Sequence, residues 1–379
     1  MNVYLDNAAT TPLDPQVLEA MLPFMQDHYG NPSSIHSHGR KVKSAIEQAR
    51  KKVADLLNTS PSEIFFTSGG TEADNTAIVG AVVSKNIQHI ISSPLEHHAV
   101  LHTIENLERE KLVEVHLLDV SEKGEIDTTQ LESLLKKYPN ALVSLMHGNN
   151  EIGTINEIEK IGTLCKEYGA TFHSDTVQTV GHFKHDLSNL DVDFIVGSAH
   201  KFHGPKGIGF LYINHENKIN PFIQGGAQER NMRGGTENVY GIIGLAKALE
   251  LAYENLDTHR KQIETVKKHA IEQFKSSFPG VHFNGTSGNL NSSLYTVLNV
   301  SLPPGDHNEM MLFNLDINGI SASGGSACAS GSNIGSHVLQ GLNADPTRGA
   351  IRFSFSRFNT IEELDYVIDK VAEIMSVGA

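Results

Sequence analysis

The sequence predicts an α/β protein with a large domain on a mostly parallel sheet flanked by helices, plus a smaller α+β domain. Two observations carry that expectation. Between residues 64 and 197, six short apolar runs alternate with stretches of helical period, and strand–helix alternation of this kind builds parallel sheets covered on both faces. After Pro279-Gly280 the alternation stops, leaving two apolar strands and one capped helix. The expected division is 14–256 for the large domain, and 1–13 together with 257–379 for the small one.

Asp14-Pro15 is an N-cap followed by a first-turn proline, opening a helix to about His28. Gly30-Asn-Pro-Ser-Ser34 is a loop by its turn chemistry, and a charged amphipathic helix follows from about Gly39 to Leu57. Strands are expected at Ile64–Thr67, His89–Ser92, Val113–Leu118, Ala141–Met146, Thr171–His173 and Phe194–Gly197. Helices fall between them at Thr71–Ser84, His97–Lys111, Thr128–Lys137 and Glu157–Tyr168. A long helix from Tyr240 to Phe278 breaks near Leu256-Asp257. The last part holds strands at Thr296–Val300 and Ala350–Phe355, then a helix capped by Thr360 with Glu363 three residues on.

Composition narrows the function. The 379 residues carry 30 basic and 44 acidic side chains, a net charge of −14. That balance argues against binding nucleic acid or an anionic membrane. The apolar run Ala77–Val83 is far too short to span a bilayer, and the first residues have no basic n-region. Cys165 and Cys328 are the two cysteines, too few for a disulfide framework, so the expected compartment is the cytoplasm.

Ligands of open α/β sheets bind at the carboxyl ends of the strands, and the segments there are unusual. Phe194–Val196 delivers Ser198-Ala-His-Lys201 and then a glycine-rich loop to Gly209. A lysine at the edge of an apolar core can lose its proton and act as an amine nucleophile toward an aldehyde; taken alone it reads as a solvated loop lysine, and the motifs elsewhere in the chain are what argue otherwise. Gly69-Gly70-Thr71, between a strand and a helix, offers free N–H groups and a hydroxyl. It reads as a plain helix cap or a phosphate cup, and it is not a Walker A loop. Asp175 ends the strand Thr171–His173, 26 residues before Lys201 (201 − 175). Pyridoxal phosphate needs such a pair, a lysine for its aldehyde and an acid for its ring nitrogen, although an Asx turn uses the same aspartate. His97 and His98 open a helix, where an imidazole can stack on a ring and move protons near neutral pH.

The cysteines differ. Cys165 lies on a helical stripe with Ile161, Leu164 and Tyr168, whereas Cys328 sits in Ser321-Ala-Ser-Gly-Gly-Ser-Ala-Cys-Ala-Ser-Gly-Ser332, which has no apolar period. An exposed loop thiol is a candidate nucleophile. Arg352, opposite Ile351, Phe353 and Phe355 on its strand, is either a carboxylate clamp or an exposed edge residue.

In combination these motifs resemble those of the cysteine desulfurases of the nitrogen-fixation and iron–sulfur housekeeping type. These are class V aminotransferases with the aspartate-aminotransferase-like fold, PLP fold type I. The resemblance runs from Tyr4-Leu-Asp-Asn-Ala-Ala-Thr-Thr-Pro12 to Ile351-Arg-Phe-Ser354, through Thr67-Ser-Gly-Gly-Thr-Glu72, His147-Gly-Asn-Asn-Glu-Ile-Gly153, Met232-Arg-Gly-Gly-Thr236 and Gly325-Ser-Ala-Cys328. It implies that Lys201 holds pyridoxal 5′-phosphate, Asp175 pairs with the ring nitrogen, Gln178 meets the ring hydroxyl and His97 stacks on the ring. Gly70, Thr71, Ser198 and His200 would hold the phosphate, with Thr236 reaching in from the second subunit of a homodimer. Asn150 would serve the cofactor and, with Asn31 and Arg352, the substrate carboxylate.

The implied reaction converts L-cysteine to L-alanine and leaves a persulfide on Cys328. That sulfur would go to an acceptor such as an iron–sulfur scaffold or a transfer-RNA thiolation carrier. No resident metal is implied, although Cys328 could transiently hold a cluster. The loop reads Ser323-Gly-Gly-Ser326 where relatives often have Ser-Ser-Gly-Ser. Rivals on the same fold are a selenocysteine lyase and a plain aminotransferase, the latter having no use for Cys328. A rival of another class is a non-catalytic, histidine-rich metal-binding scaffold. His98 and His102 are spaced i, i+4, but the first lacks the glutamate that follows it in a metalloprotease helix.

Overall fold

The central strands send successive side chains to opposite faces, and both faces are covered. The computed structural model describes residues 1–324 and 335–377. The first elements are β1 (Val3–Tyr4), α1 (Pro15–Gln26), α2 (Ser37–Leu56), β2 (Ile64–Thr67), α3 (Gly70–Lys85), β3 (His89–Ser92) and α4 (His98–Arg109). Then come β4 (Glu114–Leu117), α5 (Thr128–Lys137), β5 (Leu142–Ser144), α6 (Ile158–Tyr168), β6 (Thr171–Ser174), β7 (Phe194–Ser198) and β8 (Gly209–Ile213). The rest is α7 (Val239–Glu254), α8 (Leu256–Ser277), β9 (His282–Phe283), β10 (Val297–Pro304), α9 (Met311–Ile317), β11 (Ile320–Ser321), α10 (His337–Gly341), β12 (Arg348–Ser354) and α11 (Ile361–Val377).

Seven strands form one sheet in the order β2-β8-β7-β6-β5-β3-β4. The run from β7 to β4 is parallel, and β8 lies antiparallel to both β2 and β7. On β7, Phe194 and Val196 join a core with Ala77, Ile78, Val100 and Ile104 of α3 and α4. Ile195 between them joins the opposite core, with Val42 and Ile46 of α2, Ile161 of α6 and Leu245 of α7. The same switch separates Leu142 from Val143 on β5. Strands buried on both faces read as continuous apolar runs, which is why they were legible.

The antiparallel β8 was not expected, because Gly207-Ile-Gly209 reads as loop. Its glycine is a packing device instead. A Cβ on Gly209 would lie 2.5 Å from the Gly197 carbonyl oxygen and 2.8 Å from Gly69, so only glycine lets these backbones approach. Helix starts also differ in detail. His36 caps α2 by accepting from the Gly39 N–H, and His97 is the cap of α4, not its first turn.

A three-stranded antiparallel sheet, β12-β10-β9, anchors a separate core. Phe274 of α8, Leu298 and Val300 of β10, Phe353 of β12 and Val367 of α11 pack there, joined by Val3 and Leu5 from the start of the chain. Among the described residues, no helix is long and apolar enough to cross a membrane.

Candidate active site

The carboxyl ends of β2, β5, β6 and β7 surround a cavity of about 230 Å³. Gly70, Thr71, His97, Asn150, Asp175, Gln178, Ser198, His200, Lys201 and Arg352 all line it. The structure thus brings together all but three of the residues singled out in the sequence. Asn31 is exposed, its Oδ1 accepting from the Ser33 N–H at 2.9 Å. Thr236 is exposed and does not line the cavity. Cys328 lies outside the described residues.

β7 ends at Ser198, and a single 3₁₀ turn, Ala199–Lys201, swings the lysine into the cavity. Lys201 Nζ donates to the carbonyls of Ala8 at 2.6 Å and Ala9 at 3.0 Å. The N-terminal segment that supplies those carbonyls is tied back by Gln178 Nε2, which donates to Ala8 O at 3.0 Å. Asp175 is 7 % exposed, and its Oδ1 accepts from the Val177 N–H at 2.9 Å, so the Asx turn exists and the carboxylate still faces the cavity. Gly70 opens α3 with no side-chain cap, leaving first-turn N–H groups directed at the cavity beside Thr71 and Ser198. A Cβ on Gly70 would sit 2.7 Å from Val177 Cγ2.

His97 uses Nδ1 to accept from the Ala99 N–H at 3.1 Å. Burial holds its pKa below the ordinary histidine value, with Asp175 opposing and Lys201 assisting. Burial likewise pushes His200 down to about 4, helped by Lys201 and Lys206. Neutral imidazoles cost less beside a cationic lysine than imidazolium would.

Arg352 is 1 % exposed, which settles the choice left open for it in favour of a buried residue. Its Nη2 donates to Asp6 Oδ1 at 2.7 Å and its Nη1 to Asn150 O at 3.2 Å. Its Nε is buried with no hydrogen-bond partner among the described residues. A buried guanidinium with an unused donor is a ready receptor for a carboxylate.

Sequence reasoning missed Asp74, one turn beyond Gly70 on α3, which also lines the cavity. It is fully buried with Oδ1 3.3 Å from His173 Nε2, and His173 Nδ1 meets Ser144 Oγ at 2.9 Å. Glu96, fully buried, accepts from the Met146 N–H at 2.8 Å. Burial raises the pKa of both carboxyls well above the usual range, with Asp175 adding to each. Desolvation of this kind disfavours the charged form of a buried carboxyl. The i, i+4 spacing of Gly70 and Asp74 was the available signal.

Two further stretches of backbone approach this site. Ser323 exchanges backbone hydrogen bonds with Arg352, its N–H donating at 3.2 Å and its carbonyl accepting at 2.6 Å. Ser336 donates from Oγ to Glu151, and Gly335, Ser336 and His337 line a depression that shares Thr71 and His97 with the cavity.

A family model for class-V aminotransferases matches residues 3–367. A protein of Dictyoglomus turgidum named cysteine desulfurase IscS is 44% identical over 377 residues, covering 98% of this chain and 94% of the relative. A solved structure described as a NifS-like protein superposes with a TM-score of 0.91 at 38% identity, covering 100% of both chains. Another, described as SspA in complex with cysteine, has a TM-score of 0.80 at 32% identity over 94% of this chain and 100% of that one.

Proposed function

The chain belongs to the class-V aminotransferase family, whose members use pyridoxal 5′-phosphate, and we propose that it is a cysteine desulfurase that converts L-cysteine to L-alanine. The sulfur goes to Cys328 as a persulfide. One observation carries the reading. Ser323, before Cys328 in the chain, pairs with Arg352 of the cavity that contains Lys201 and Asp175, and Ser336, after it, lines a depression sharing Thr71 and His97 with that cavity.

The donor set fits the cofactor. An amine, a buried carboxylate, an uncapped helix N-terminus and two hydroxyls surround a cavity smaller than the roughly 300–1,000 Å³ of pockets for drug-sized ligands. When bound, pyridoxal phosphate supplies an electron sink for the bonds at the substrate's Cα. Lys201 would hold it through its amine, the group also placed to move a proton at the substrate's Cα. Asp175 would pair with the ring nitrogen, Gln178 with the ring hydroxyl, and His97 would stack on the ring. Gly70, Thr71, Ser198 and His200 take the phosphate, at an end of α3 whose dipole favours an anion.

Arg352 clamps the substrate carboxylate with the donor left unused, and Asn150 assists. Asn31, proposed as its further partner, lies outside the cavity, with its Oδ1 accepting from the Ser33 N–H. The Cys328 thiolate attacks the substrate sulfur. An S–S bond forms, the C–S bond breaks, and the carbon skeleton takes up a proton to leave as alanine. The protein works in the cytoplasm and passes its sulfur to an acceptor protein such as an iron–sulfur scaffold. Its two separate cores support a division into 14–256 and 1–13 with 257–379. Holoenzyme given L-cysteine and a thiol reductant should release alanine and sulfide in equal amounts. A keto acid in place of alanine would mean an aminotransferase instead.

The phosphate site is completed by Thr236 of a second copy. Thr236 is exposed, and the residues before it are tied to the large domain by ion pairs. Arg50 and Glu229, both buried, make two hydrogen bonds at 2.7 and 2.8 Å, and Arg233 pairs with Glu72 in the first turn of α3 at 2.9 Å. These ties offset the left-handed backbone of Glu229, Arg230 and Asn231. Sedimentation of the holoenzyme at micromolar concentration should show one species near twice the 41.3 kDa chain mass. A stable monomer with full cofactor occupancy would remove Thr236 from the site.

A further inference from the structure

Far from the cavity, at the opposite end of β3, three ligating side chains meet on one face of the sheet's edge. Alternation puts Glu114 and His116 of Glu114-Val-His116 on the same side of β4. Parallel pairing sets His89 of β3 opposite Glu114, and β4 is the edge strand. His89 Nδ1 and His116 Nε2 lie 3.2 Å apart. Glu114 Oε2 is 3.5 Å from His89 Nδ1, and its Oε1 is 4.0 Å from His116 Nε2. One ligand atom from each residue lies within 4.8 Å of the others.

A tetrahedral zinc ion with bonds of about 2.0–2.1 Å holds its ligand atoms about 3.3 Å apart. The two imidazole nitrogens already stand at that spacing, and a small rotation of the exposed Glu114 side chain brings its oxygen to the same distance. The imidazoles are also pre-oriented. Tyr138 stacks on His89 with ring centroids 4.0 Å apart and on His116 at 4.6 Å. Their side chains are only 28% and 15% exposed, whereas Glu114 at 62% leaves the face open for entry. Of the other charges nearby, Glu108 favours a cation. Lys137, whose Nζ lies 4.8 Å from the Tyr138 ring centroid, opposes one.

We propose that His89, Glu114 and His116 form a site for a zinc-class divalent cation, with a fourth position open to water. Two imidazoles and one carboxylate are a borderline-soft set that suits zinc, and unlike the all-oxygen sites of magnesium or calcium. The ion cross-links the edge strand β4 to β3 and stands apart from the catalytic cavity. The alternative occupant of the same geometry is a direct hydrogen bond between the two imidazoles.

The test uses tag-free holoenzyme carrying Cys328→Ser, which removes the reactive loop thiol as a competing ligand. Zinc should bind with one ion per chain by equilibrium dialysis, and cobalt(II) should give the intense visible bands of a tetrahedral nitrogen/oxygen site. Adding His116→Asn should weaken zinc binding at least about tenfold. Glu114→Gln, at an exposed position that folding tolerates, should weaken it as well. Raised thermal stability on zinc addition should disappear in both variants. No zinc binding, or binding unchanged by His116→Asn and Glu114→Gln, would overturn the proposal; the unchanged case would point to the other histidines, among them His98, His102 and His337.

Discussion

Lys201→Ala should retain no pyridoxal after borohydride reduction and denaturation, and its turnover of L-cysteine should fall by at least about three orders of magnitude. The size of the loss follows from two duties at one atom. In the proposed mechanism Nζ both holds the cofactor and takes the Cα proton, and it is placed for both by structure that alanine leaves intact. The turn Ala199–Lys201 ends β7, and the carbonyls of Ala8 and Ala9 fix the amine at the cavity wall. Lys206 is the nearest alternative in sequence, but it is exposed on the loop beyond. Lys206→Ala should therefore keep both the fixed cofactor and full turnover. If reduction still fixed pyridoxal to the Lys201→Ala chain, Lys201 would lose its assignment. Exogenous amines offer a further check, since a small amine entering the vacated space should restore part of the proton transfer without restoring the covalent link.

The contrast between what was legible and what was not has a physical basis. The inner strands β5 and β7 announced themselves because they are buried on both faces and carry continuous apolar runs, whereas the edge strand β4 is partly exposed and was marked only by its place in the alternation. The short strand β8 did not, because its leading glycines serve a close backbone approach that no local pattern reports. Lys201, Asp175 and Gly70 follow strands, so chain order already placed them at one end of the sheet. The second layer of the site was hidden for the opposite reason. Asp6 meets Arg352 across 346 residues of chain, and the lysine's acceptors are backbone carbonyls, which no side-chain motif encodes. Asp74 and Glu96 run against the usual exposure of carboxylates, and no local pattern in the sequence marks either as buried.

Cys328→Ser should keep the cofactor and its yellow colour, still respond spectrally to L-cysteine, and lose at least about a thousandfold in the release of alanine and sulfide. Binding uses Lys201, Asp175 and Arg352, none of which the substitution touches, whereas cleavage of the C–S bond needs an acceptor for sulfur. A serine hydroxyl stays protonated near neutral pH and cannot stand in for the thiolate that the proposed mechanism requires. The other cysteine supplies the control. Cys165 is 1 % exposed on α6, in the core with Ile158, Ile161 and Phe172, and burial pushes its thiol pKa up. A buried neutral thiol is a small apolar side chain, not a nucleophile. Cys165→Ser should turn over normally and lose about 1–3 kcal/mol of stability by placing a hydroxyl in that core. Mass spectrometry after a single turnover of the native protein, without reductant, should find the added sulfur on the peptide containing Cys328 and none on that containing Cys165. Full desulfurase activity in Cys328→Ser would take the thiol out of the mechanism, and a lyase that releases sulfur directly from the substrate would stand in its place.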